Sequence, residues 1–121
     1  MKTFELLRFD LKILPHNKVG NDISTIALYF NDHCFLEHTI SFPNKLLRIN
    51  FYEKCSLHKK HQIRIVGNGD CKLQIVQLTI NSTNFNNLDN QDRIIYKSTE
   101  EIHTFEFESP YAYYFLGRVQ I

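Results

Sequence analysis

Residues 46–80, LLRINFYEKCSLHKKHQIRIVGNGDCKLQIVQLTI, constrain the fold more than any other stretch. Leu47, Ile49 and Phe51 alternate with Arg48, Asn50 and Tyr52. A period of two lines opposite faces of a β-strand, one buried and one wet. Ile63 and Ile65 alternate with Gln62 and Arg64 in the same way. Gly67-Asn68-Gly69-Asp70 is turn chemistry and predicts a hairpin. A two-residue Asn68-Gly69 loop would set Ile65 opposite Lys72 and mix apolar with charged groups on each face. A three-residue loop sets Ile65 opposite Cys71 and Ile63 opposite Leu73, keeping one face apolar. It also puts Gly69 in the left-handed position such loops need. Its cost is Arg64 facing Lys72, a like-charge pair that must lie in solvent. In the third run Leu73 and Ile75 have one parity, and Val76, Leu78 and Ile80 the other. Burial on both sides or a bulge near Ile75-Val76 accounts for that, and the bulge is the more economical.

The remaining chain repeats the pattern. Strands are predicted over residues 2–10, 23–30, 35–42 and 93–97. Another is expected where His103, Phe105 and Phe107 alternate with Ile102, Thr104, Glu106 and Glu108. A last run, 111–121, places Tyr111, Tyr113, Phe115, Val119 and Ile121 on one face. Residues 15–22, the turn Asn31-Asp32-His33, Pro43-Asn44 and the Asn-rich 81–92 separate the runs. Eight or nine short strands without a helix predict an all-β fold: an antiparallel β-sandwich, jelly-roll-like.

At 121 residues, 1–121 is read as a single β-sandwich domain, large enough to bury a core without staples. The net charge of +1 argues against nucleic acid or an anionic membrane as partner. No apolar run has the length of a membrane span, and MKTFELLRFDLKILPH lacks a signal-peptide core. Three widely spaced cysteines give no disulfide framework, so reduced thiols in a cytoplasmic protein are expected.

Leu47-Arg48-Ile49-Asn50-Phe51 followed by Ile75-Val76-Gln77-Leu78-Thr79-Ile80 resembles β-sandwich accessory segments of bacterial glycosyltransferases. There an apolar-Arg-apolar-Asp-Pro strand end precedes an apolar-x-x-apolar-x-apolar strand. Here Asn50 stands for the Asp and Phe51 for the Pro, and the match covers about a third of the chain. The resemblance implies a sandwich near glycan chemistry, not a catalytic site.

Candidate sites follow. Cys55, His58 and His61 have a C-x2-H-x2-H spacing with Cys71 as a possible fourth zinc ligand, but Lys59 and Lys60 sit between the histidines. A solvated basic loop explains the run better. His33, Glu37 and His38 straddle two strand faces. Asp89, Asn90 and Asp92 lack the Gly and closing Glu of a calcium loop and read as Asx turns. No metal and no cofactor is expected. Glu100, Glu101, Glu106 and Glu108 read as a solvated edge, and His103 as a hydrogen-bonded core histidine. No phosphate loop or nucleophile elbow is present, so no enzyme is expected.

The ligand-binding candidates are Arg48, Asn50, Tyr52, Arg64, Gln62 and Gln74, expected on the solvent sides of neighbouring strands. Planar polar groups beside an aromatic suit a sugar, although an ordinary outer sheet face has the same composition. The expected function is a non-catalytic carbohydrate-binding or glycan-assembly accessory module. The alternative is a protein–protein interaction module using an exposed sheet face or edge.

Overall fold

The computed structural model describes residues 3–16, 24–40, 45–68, 71–80, 83–84, 94–99 and 101–109. Its strands are β1 (Phe4–His16), β2 (Ser24–Phe30), β3 (His33–Ile40), β4 (Leu47–Ser56), β5 (Lys60–Asn68), β6 (Lys72–Ile80), β7 (Thr83–Asn84), β8 (Ile94–Ser98) and β9 (Ile102–Glu108). They form two antiparallel sheets packed as a sandwich, ordered β4-β1-β6-β7 and β3-β2-β5-β9-β8. Calcium candidates Asp89, Asn90 and Asp92 and the run 111–121 lie outside the described residues.

Strand β1 sets the first layer. Its odd-numbered Leu7, Phe9, Leu11 and Ile13 are buried, and its even-numbered Arg8 is exposed. The alternation continues past Asp10 because Lys12 and Ile13 keep the period. Pro15 therefore belongs to the strand, opposite Leu73, rather than to a loop. Facing this row are Ile26, Leu28 and Phe30 of β2, Ile63 and Ile65 of β5, and Phe105 and Phe107 of β9. The Phe9 ring lies 4.9 Å from Phe51, 5.9 Å from Phe30 and 5.8 Å from Phe107, so aromatic contacts cross between the sheets.

Strands β2 and β3 join through Asn31-Asp32, whose φ values of 49° and 67° give the two-residue loop matched to strand twist. Strands β1 and β4 pair in one sheet and β2 and β3 in the other, as an antiparallel sandwich requires.

The predicted β5–β6 hairpin is not formed. Strand β5 pairs with β2 and β9, while β6 pairs with β1 and β7 in the opposite sheet. Ile65 therefore faces Leu28 and His103 in register rather than Cys71, and Arg64 faces Tyr29 and Thr104 rather than Lys72. Crossing between sheets lets β5 use both backbone edges and still turn Ile63 and Ile65 inward. A Cβ at Gly67 would collide with the Cys71 carbonyl, so glycine permits the close approach there.

The bulge expected near Ile75-Val76 is present. Lys12 pairs with Gln77 and Ile13 with Ile75, which leaves Val76 unpaired and exposed while Leu73, Leu78 and Ile80 all face the core. Glu106 and Glu108 do not guard an edge, because β9 lies between β5 and β8. The inward Leu47, Ile49 and Phe51 are only half-buried, since β4 is last in its sheet order.

Burial pushes the Cys55 thiol up to about 12, and the Glu5 and Glu53 carboxylates add to the shift. The unfolded thiol ionises first, near its ordinary 9.0, so the folded state binds more protons between those values. Chemical denaturation should show stability falling as pH rises from 9 toward 12, with a shallower fall in Cys55→Ala. At neutral pH, Leu11→Ala should cost about 2–5 kcal/mol. Half-buried Ile49→Ala should cost less.

Candidate functional site

Because the odd residues of β1 and β4 face the core, their even residues form an outer face. Antiparallel register sets Arg8 opposite Tyr52, Asp10 opposite Asn50, and Lys12 opposite Arg48. On the other side of β1, Thr79 lies opposite Asp10 and Gln77 opposite Lys12. Three strands therefore supply a continuous grid of polar side chains around one aromatic ring. Tyr52 is 62% exposed, and Arg8 and Asp10 form an ion pair with Nε 3.1 Å from Oδ2. Two apolar residues, Phe4 and Leu6, extend the face beyond Tyr52, with the Lys54 ammonium 5.1 Å from the Phe4 ring centre.

The six expected ligand-binding residues do not converge. Arg48, Asn50, Tyr52 and Gln74 share this face; Gln62 and Arg64 lie on the outer face of the opposite sheet. The β5–β6 hairpin would have made them neighbours, and its replacement by a crossing separates them. Gln74 sits toward the far end, opposite Leu14, and accepts a hydrogen bond from His16 Nε2 at 3.3 Å. Arg64 is half-buried, its guanidinium 4.5 Å from the Tyr29 ring centre, with a shielded Nε that has no hydrogen-bond partner. Gln62 donates to Glu106 Oε1 at 3.4 Å.

The sequence reading missed Arg8, Asp10, Lys12, Gln77 and Thr79 as members of the site. Their alternation was visible; the position of β1 between β4 and β6 was not.

The zinc candidates are dispersed. Cys55 is buried on the inner face of β4, and His58 is exposed with φ 64°. His61 is buried, donating Nε2–H to the Ser56 carbonyl at 2.9 Å and accepting at Nδ1 from Asn31 Nδ2 at 2.9 Å. Cys71 lies past the far end of β5. Among the described residues no three His, Cys, Asp or Glu side chains gather as a metal site. Glu37 and His38 pair with successive residues of β2, so they point to opposite faces. His103 is the hydrogen-bonded core histidine expected, with Nε2–H given to the Leu73 carbonyl at 2.9 Å and Nδ1 2.6 Å from the Tyr96 hydroxyl.

No family model and no curated protein matches the sequence. A solved structure, "vCBM60 in complex with galactobiose", aligns with 84% of this chain and 97% of its own, at a TM-score of 0.45 and 9% identity. At that level the likeness carries no argument, and the sandwich rests on its strand pairing. The segments resembling glycosyltransferase accessory regions are in β4 and β6, which flank β1. The comparisons link the chain to no glycosyltransferase.

Arg64→Ala should destabilise by about 1 kcal/mol, since it removes a partly desolvated cation–π contact. Arg48→Ala should change stability by no more than about 0.5 kcal/mol, as at exposed sites. Urea midpoints of the two variants check the difference.

Proposed function

We propose that the protein is a non-catalytic glycan-binding module whose surface is the outer face of the four-stranded sheet. One observation carries the reading: exposed Tyr52 stands directly opposite Arg8, whose guanidinium is braced by Asp10, with Asn50 opposite that acid. A sugar ring has an apolar C–H face and a rim of hydroxyls. The tyrosine ring covers the first, and planar carboxylate, amide and guanidinium groups pair with neighbouring hydroxyls of the second. Bracing Arg8 reduces the rotamer freedom that binding must remove. Asp10 is the one carboxylate of the central rows among the described residues. Glycoside hydrolysis ordinarily uses a pair, which favours binding over catalysis. A cytoplasmic setting, supported by free thiols at Cys34, Cys55 and Cys71, belongs to the same proposal.

A second reading, a protein-interaction face, draws on Leu6 at 57% and Phe4 at 44% exposure beside Tyr52. The two readings separate on a glycan array followed by calorimetry. Under the glycan reading, Tyr52→Ala and Asp10→Ala each weaken binding by about tenfold or more, roughly 1.4 kcal/mol, with nearly unchanged melting temperature. Leu6→Ser leaves binding in place. Sugar binding that survives Asp10→Ala, Asn50→Ala and Tyr52→Ala combined removes this face as the site.

A further inference from the structure

Lys12 and Arg48 stand directly opposite one another on neighbouring strands. Like charges so placed repel, and a sheet face ordinarily sets an acid against a base. The acid nearest in the ladder is Asp10, already engaged by Arg8 through contacts of 3.1 Å to Oδ2 and 3.3 Å to Oδ1. Neither the Lys12 nor the Arg48 side chain has a hydrogen bond or ion pair among the described residues. Gln77 completes their row on the other side of Lys12. The row therefore presents a guanidinium fork, an ammonium and an amide, with no anion among the described residues to neutralise them.

We infer that this row is a subsite for an anionic sugar substituent, a carboxylate or a sulfate, so that the ligand is an acidic glycan. The inference rests on the glycan reading and narrows it. Arginine takes such a group bidentately, lysine adds a point charge, and the bound anion turns their mutual repulsion into shared attraction. Arg48 is four residues along β4 from Tyr52, about 13 Å at the usual strand rise. The charged group then belongs to a sugar further along the chain than the one stacked on Tyr52, and the site takes an oligosaccharide. The net charge of +1 and the carboxylate of Asp10 in the adjoining row disfavour a nucleic-acid backbone.

The test is an array carrying neutral, uronate and sulfated forms of the same hexose backbones, followed by calorimetry at low and high salt. At least one acidic form should bind about tenfold or more tighter than its neutral counterpart, with the advantage shrinking as salt rises. Whether uronate or sulfate is preferred identifies the substituent. Lys12→Gln combined with Arg48→Gln should bring the acidic and neutral affinities measured on that same variant together, and hold or raise the melting temperature. Equal binding of neutral and acidic forms overturns the subsite while leaving the glycan reading standing. An acidic preference that survives the double variant, or equally tight binding of a single-stranded oligonucleotide, also overturns it. Binding of no sugar in any form removes both conclusions.

Discussion

Burial of the odd-numbered row of β1 is the interaction on which the rest of the structure depends. Leu7, Phe9, Leu11 and Ile13 are at most 1% exposed, and Phe9 packs against aromatic rings from both sheets. Removing this row from water supplies the driving force for closing one sheet over the other. The same commitment fixes the opposite parity outward. Arg8, Asp10 and Lys12 line the candidate site because their neighbours line the core; in a strand the two assignments are one.

Polar groups tie the layers at two places. His61 gives its Nε2–H to Ser56 and His103 gives its own to Leu73, each from the five-stranded sheet to a backbone carbonyl of the other. Ser56 and Leu73 lie near strand ends, opposite Phe4 and Pro15, and a neutral imidazole reaches their carbonyls while its second nitrogen accepts. Asn31 serves His61 with its amide nitrogen and takes the Gln62 backbone N–H on its amide oxygen, so the β2–β3 turn is bound to β5 through one side chain. In the linear sequence His61 reads as a metal candidate and His103 as a core histidine, and the fold engages both nitrogens of each.

Much of the architecture was legible in local pattern. Alternation in Leu46 to Tyr52 and in Gln62 to Ile65 identified two strands and their inward faces, which the structure extends to Leu47–Ser56 and Lys60–Asn68; the parity change between Ile75 and Val76 identified a bulge, and Asn31-Asp32-His33 marked a turn. The misreading came at Gly67, where turn residues suit both a hairpin within one sheet and a crossing between two. Both solutions keep Ile63, Ile65 and Leu73 in contact with the core. What separates them is which strands occupy the two edges of β5, and β2 and β9 are remote in sequence.

The sequence by itself determined where most strands lie and, in β4 and β5, which side is wet, because a period of two is a local property of an extended chain. It thereby marked Arg48, Asn50 and Tyr52 as outward residues. Only the tertiary structure decided which outward residues share a surface. It set Arg8, Asp10 and Lys12 beside them, moved Gln62 and Arg64 to the opposite side of the sandwich, and placed Lys12 against Arg48. Neighbourhood across a sheet follows from pairing between distant segments, and pairing follows from how apolar rows close over one another, which no single segment encodes.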